Sequence, residues 1–180
     1  MCTNLKADVK RFIGQDKGYH SFKEILYLCV DQGFWAVLVY RFGRWAHQMK
    51  VPIVSLMFRI LAFVLFKLIE LTTGISVPAS VEIGPGFYIG HFGGIILHSD
   101  VKIGKNCSIG PGVVIGTRGL GNKGTPIIGD DVYIGVGAKI LGGVKIGNRV
   151  RIGANSVVLK DIPDGATAVG IPAKIVRKEE

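Results

Sequence analysis

The chain reads as mainly β, a left-handed parallel β-helix built from hexapeptide repeats and preceded by a small α-helical N-terminal region, and three features of its 180 residues carry that reading. From residue 75 onward an Ile-Gly or Leu-Gly pair returns in a six-residue rhythm: Ile83-Gly84, Ile89-Gly90, Ile103-Gly104, Ile109-Gly110 and Ile115-Gly116, then, after a gap, Ile128-Gly129, Ile134-Gly135, Leu141-Gly142, Ile146-Gly147 and Ile152-Gly153. Glycine accounts for 26 residues, about twice the usual share, beside 48% apolar residues. Residues 1–73 use another spacing, with apolar side chains three and four apart. The units expected are therefore 1–73, α-helical, and 74–180, the β-helix with a short C-terminal tail.

In the first unit, Phe22, Ile25, Leu26, Cys29 and Val30, then Phe34, Val37, Leu38, Arg41, Phe42 and Trp45, fit two amphipathic helices broken near Asp31-Gln32-Gly33. Pro52 suits the first turn of a third helix, where its missing N–H has no partner to lose, and Gly74 suits a stop after about Thr73. That segment, PIVSLMFRILAFVLFKLIELTTG, is apolar, but its longest uncharged apolar run is Ile60 to Phe66, with Arg59, Lys67 and Glu70 interrupting the rest. A bilayer span of about 20 apolar residues is not met. Two expectations follow for residues 53–71: burial in an oligomer or against a second domain, or peripheral contact with a membrane surface.

In the second unit, six residues make one short strand and a turn. The aliphatic residue points inward, and the small residue after it stands where a side chain would clash or where φ must be positive. Three such units close a triangular coil, so residues 75–171 hold about five coils.

The rhythm breaks twice. From Ile89 the next inward aliphatic in register is Leu97, eight residues on instead of six, so two extra residues bulge from the coil just after His91 in IGHFGGII. A loop that lifts an imidazole off a rigid scaffold is well placed for chemistry. The second break, GTRGLGNKGTPI, follows Ile115 and reads as a flexible basic loop carrying Arg118 and Lys123 over the coil.

The 22 Lys and Arg against 13 Asp and Glu give a formal charge of +9, spread along the chain. That balance suits solvated surface, or a polyanionic ligand such as a nucleotide cofactor, an acidic glycan or an anionic membrane. No nucleic-acid-binding motif accompanies it, and nucleic acid is not expected as a partner. Cys2, Cys29 and Cys107 lie far apart without CxxC spacing and read as reduced thiols. The first twenty residues are charged throughout and hold no apolar signal region, so a cytoplasmic location is expected, membrane-associated if residues 53–71 meet a bilayer.

These motifs resemble the hexapeptide acyltransferases and, among them, the serine acetyltransferase branch. ADVKRFIGQDKG is similar to the segment that opens that family's helical domain, and GFWAVLVYRFGRWAH to its GF, YR, HW helix. IGHFGGIILHSDVKIG resembles the catalytic segment, YIGVGAKILGGVKIG the cofactor-side coils and VGIPAKIV the closing motif. The resemblance implies an O-acetyltransferase that uses acetyl-CoA and no metal, with the family's catalytic histidine falling on His91. A hydroxyl is a poor nucleophile near neutral pH, so a general base must take its proton as it attacks the thioester, and histidine is the side chain whose charge changes in that range. An N–H of Gly93 or Gly94 is expected to meet the oxyanion.

Carried over position by position, cofactor contacts fall on Thr117, Val136, Arg151 and Ala154, with Lys174 at the phosphates. Acceptor contacts are expected at Asp16, which matches an acidic position of the family, at Ser76, Gly90 and Thr125, where the family carries Asp, Asp and His, and at His98 and Arg118 beside the same cleft. The family's active sites form between subunits, so a homotrimer is expected. Without three of the family's polar groups, the ammonium and carboxylate of free serine would lose partners that desolvation makes necessary. The sequence therefore predicts a sugar or polysaccharide intermediate as acceptor and a chain closest to the polysaccharide and sugar O-acetyltransferases; serine O-acetylation and a non-catalytic scaffold are the alternatives. A zinc enzyme of carbonic-anhydrase type would need three converging histidines, and the β-helix offers His91 and His98.

Overall fold

The computed structural model describes residues 2–13, 26, 28–119 and 124–178. The helices α1 (Cys2–Ile13), α2 (Gln32–Gln48) and α3 (Pro52–Thr73) precede the strands. The expected break at Asp31 is an N-cap: its carboxylate accepts from the Phe34 N–H at 2.8 Å, satisfying a donor that the first turn leaves free. Much of the preceding apolar pattern, Phe22 and Ile25 included, lies outside the described residues. Helix α3 begins at Pro52 and ends at Thr73, where Gly74 caps it at φ 69° in the left-handed conformation. The uncharged run Ile60 to Phe66 understated this helix, since its 22 residues are long and apolar enough to cross a membrane by length and composition.

The strands follow in five coils. The first coil holds β1 (Ile75–Ser76), β2 (Glu82–Ile83) and β3 (Tyr88–Ile89); the second β4 (Ile95–Leu97), β5 (Lys102–Ile103) and β6 (Ser108–Ile109); the third β7 (Val114–Gly116), β8 (Ile127–Ile128) and β9 (Tyr133–Ile134). The fourth holds β10 (Lys139–Leu141), β11 (Lys145–Ile146) and β12 (Arg151–Ile152), and the fifth β13 (Val157–Val158), a single bridge at Ile162 and β14 (Ala166–Val169). Corresponding strands pair in parallel into three faces: β1-β4-β7-β10-β13, then β2-β5-β8-β11, then β3-β6-β9-β12-β14. The last strand, β15 (Lys174–Lys178), turns back antiparallel on β14. This is the left-handed β-helix that the repeat predicts.

Each coil buries two positions per strand, not one. Ile89, Ile109, Ile134 and Ile152 form one inward column, and Phe87, Cys107, Val132 and Val150, two residues earlier, form the next. In the fourth coil the inward residue is Ile140, fully buried, and not Leu141 as the Leu-Gly pair suggested. Strand β10 runs one residue further, with Leu141 paired to Gly116, before Gly142 turns at φ 89°. At several corners the glycine after the inward residue is a matter of coil spacing: a Cβ on Gly110 would lie 2.9 Å from the Val136 nitrogen and one on Gly135 2.7 Å from that of Ala154. Neighbouring backbones about 4.8 Å apart leave no room for it.

The helices clamp the first coil. Arg41, counted in the sequence as one of the helix-spaced residues, is buried with Asp8: its Nε donates to Asp8 Oδ2 at 2.8 Å, and its remaining donors reach the carbonyls of Ile83 at 2.8 Å and Gly84 at 2.6 Å. Asp8 also accepts from the Phe87 N–H at 2.8 Å, so the buried charges are matched on both sides. Tyr40 donates to the Val81 carbonyl at 2.8 Å, and its burial pushes the phenol pKa up.

Candidate active site

His91 stands where the third face of the first coil turns into the first face of the second. Strand β3 ends at Ile89, and five residues pass before β4 begins at Ile95, itself in register with Ile75 of the coil before. Gly93 and Gly94 take up the excess at φ 106° and 63°, a region costly for residues with a Cβ. The Gly93 N–H donates to Thr73 O at 2.9 Å and its carbonyl accepts from Gly112 N at 2.8 Å, so the bulge is tied to α3 on one side and to the second coil on the other. His91 and Phe92 project to the outside. Of the two expected oxyanion donors, the Gly93 N–H is therefore engaged, while that of Gly94 has no acceptor among the described residues.

The register sets the rest of this corner. Ile89, Ile109, Ile134 and Ile152 pair across successive coils, so two residues further on His91, Pro111, Val136 and Ala154 succeed one another along one edge. Lys174 pairs with Val169 at the far end of the same edge. From the first coil to the fifth, this edge spans about 19 Å. Arg151 lies on the adjoining third face, in a 360 Å³ hollow shared with Arg11, Ser108 and Arg149.

The other expected contacts gather at the opposite corner of the first face. His98 follows β4, and its Nδ1 accepts from the Asp100 N–H at 3.3 Å. Thr125 donates to the Asp100 carbonyl at 3.0 Å, Thr117 follows β7, and Arg118 lies against Gly142. Within one chain β4 separates His91 from His98. Asp16 lies outside the described residues.

Ser76 is on the outward side of β1, and its hydroxyl donates to Glu70 Oε1 at 2.6 Å. Lys67 holds the other oxygen at 2.5 Å, and these hydrogen bonds, that from Lys67 first, keep the Glu70 carboxyl below its usual range. The last turn of α3 thus sets a carboxylate against Ser76. Gly90 differs from Gly110 and Gly135, because a Cβ there would meet Tyr88 Cε1 at 3.7 Å and the Ile109 carbonyl at 3.8 Å, ordinary contacts. Its lack of a side chain is not imposed by coil stacking. Among the described residues no group of three His, Cys, Asp or Glu could hold a metal ion.

A left-handed parallel β-helix that raises a histidine on a bulge at the end of a coil edge has the architecture of the hexapeptide-repeat acyltransferases. Residues 125–160 match the family model for bacterial transferase hexapeptide (six repeats), and residues 100–121 that for the hexapeptide repeat of succinyl-transferase. The chain is 35% identical to a Helicobacter pylori serine acetyltransferase over 98% of both proteins. Its fold is similar to that of the Neisseria gonorrhoeae serine acetyltransferase in complex with serine, with TM-score 0.78 and 31% identity over 96% of this chain and 68% of that one. It is also similar to the Brucella abortus serine acetyltransferase in complex with coenzyme A, with TM-score 0.81 and 28% identity over 98% and 68%. The chain belongs to the serine acetyltransferase family, and it is an acyltransferase with acetyl-CoA as co-substrate.

This overturns the expected sugar or polysaccharide acceptor and the placement nearest the polysaccharide O-acetyltransferases, since the relatives across the whole chain are serine acetyltransferases. That expectation rested on three positions, Ser76, Gly90 and Thr125, whereas the similarity extends along the whole chain.

Proposed function

We propose that the protein transfers the acetyl group of acetyl-CoA to the hydroxyl of serine, with His91 as general base. The observation that carries this reading is the similarity to serine acetyltransferases along essentially the full chain, at 98% coverage of both partners for the Helicobacter pylori protein. His91 takes the proton of the serine hydroxyl as its oxygen attacks the thioester carbonyl. The tetrahedral oxyanion meets the Gly94 N–H, and its collapse expels CoA, whose sulfur takes the proton back from the imidazolium. The products are O-acetylserine and CoA.

The acetyl donor lies along the edge from His91 past Val136 and Ala154 towards Lys174, which meets a phosphate. The active protein is a homotrimer, in which the corner bearing His91 of one subunit meets the corner bearing His98, Thr117, Arg118 and Thr125 of the next. Supporting this, the two groups stand at opposite ends of β4 in one chain, so a neighbour is needed to unite them. The helical residues 1–73 and the β-helix 74–180 act as clamp and catalytic unit.

The test is thiol release from acetyl-CoA with and without serine, in wild type and His91→Ala, with sedimentation at matched concentration. Serine-dependent release that falls about 10²–10⁴-fold in the variant is expected, from a species near three times 19.4 kDa. Release that serine does not stimulate overturns the acceptor, and an equally active variant overturns the base.

A further inference from the structure

Helix α3 turns most of its circumference outward. Ile53, Leu56, Ile60, Phe63 and Leu71 are each more than half exposed and, with Lys67, follow at steps of three and four. They make one stripe along a helix about 33 Å long. Beside it the stripe runs into an apolar groove of about 580 Å³ between α2 and α3, lined by Trp35, Leu38, Leu61, Leu65 and Leu68. The opposite flank is pinned: Ser55 and Ala62 are buried, Ser55 donates to the Ala46 carbonyl of α2 at 3.1 Å, and α2 is clamped to the first coil through Tyr40 and Arg41.

That pinning decides between crossing a bilayer and lying on it. A spanning helix needs lipid or protein without polar turns around its whole length, and α3 passes through Gly74 directly into β1 beside polar coils. Its geometry is that of a helix in the interface plane, apolar on one side and held on the other. The charge indicates which surface it meets. Lys50 and Arg59 are exposed next to the stripe, Arg59 also donating to the His47 carbonyl at 3.1 Å, while Lys67 and Glu70, the single acid of α3, pair with each other. Residues 1–73 carry ten Lys or Arg against five Asp or Glu. A second copy seated on α3 would set these cations against their own kind, whereas an anionic surface complements them.

We propose that α3 docks the protein on an anionic lipid bilayer, with Ile53, Leu56, Ile60, Phe63 and Leu71 in the acyl boundary and Lys50 and Arg59 at the phosphates. The test is co-sedimentation of the full chain with vesicles of phosphatidylcholine alone and of equal parts phosphatidylcholine and phosphatidylglycerol, at low and high salt. Binding is expected to the anionic vesicles only and to fall with salt. Phe63→Asp lowers the partition coefficient about tenfold or more, and Lys50→Glu about fivefold. Acetyl-CoA thiol release stays unchanged in both variants, since neither residue belongs to the proposed catalytic corner. Failure to bind anionic vesicles, or equal binding to both compositions, overturns the proposal. So does a Phe63→Asp variant that leaves vesicle binding intact and instead lowers the sedimenting mass, because α3 is then a contact between copies.

Discussion

The first and second coils share a core and differ in what fixes them. Ile89 lies in register with Ile109 and Phe87 with Cys107, all buried. The second coil keeps the six-residue step throughout and is gripped by a coil on either side. The first has a coil on one side only, and on the other it is held by the helices: the side chains of Tyr40 on Val81, Arg41 on Ile83 and Gly84 and Asp8 on Phe87, and the Thr73 carbonyl on the bulge itself. The helix clamp holds the end coil around its bulge, so this coil can present a histidine.

Removing the bulge should break this contrast most strongly. Deleting Phe92 and Gly93 restores the six-residue step, and turnover is expected to fall by about 10²–10⁴-fold, as for loss of a general base, with the β-sheet circular dichroism retained. Next comes the clamp. Arg41→Ala leaves Asp8 buried and unpaired and should lower unfolding free energy by about 3–5 kcal/mol in urea titration. Loss of the first coil's exchange protection before that of the second is the sign that the clamp acts there; uniform loss would show that the coils do not differ.

The corner glycines sharpen the comparison further. Gly110→Ala forces a Cβ against the Val136 backbone and should cost about 1–3 kcal/mol, while Gly90→Ala, with open space at the same corner one coil earlier, should change stability by no more than about 0.5 kcal/mol. Equal costs would mean that Gly90 is structural after all. The smallest effect belongs to Cys107, whose thiol burial pushes up to about 11. The folded pKa lies above the ordinary value of 9.0, so the neutral thiol's contribution is complete below that pH and is lost as pH rises towards 11. Thiol labelling at pH 8 should modify the exposed Cys29 and leave Cys107 unreacted until unfolding.

Much of this architecture was legible in the sequence. The Ile-Gly rhythm specified the coils because an inward aliphatic residue and a turn too tight for a side chain recur wherever backbones stack about 4.8 Å apart. The same rhythm located the bulge at His91 by counting, and Pro52 and Gly74 bounded α3 through their own dihedral preferences. Those are local constraints, and a single chain segment states them. Leu141 was misassigned because Ile140 beside it is equally apolar, and pairing with Gly116 decides between them.

What the tertiary structure decided were the relations between distant residues. Arg41 fits a helical spacing, and only the approach of Asp8 and of the first coil's carbonyls makes it a buried charge. Ser76 looks like a missing acid, and only the packing of the last turn of α3 brings Glu70 to it. The division of the expected contacts between two corners of β4 has no trace in residue spacing either. The composition of a segment sets which surfaces it can bury, but where a charge is neutralised depends on separations that the chain closes only when it folds.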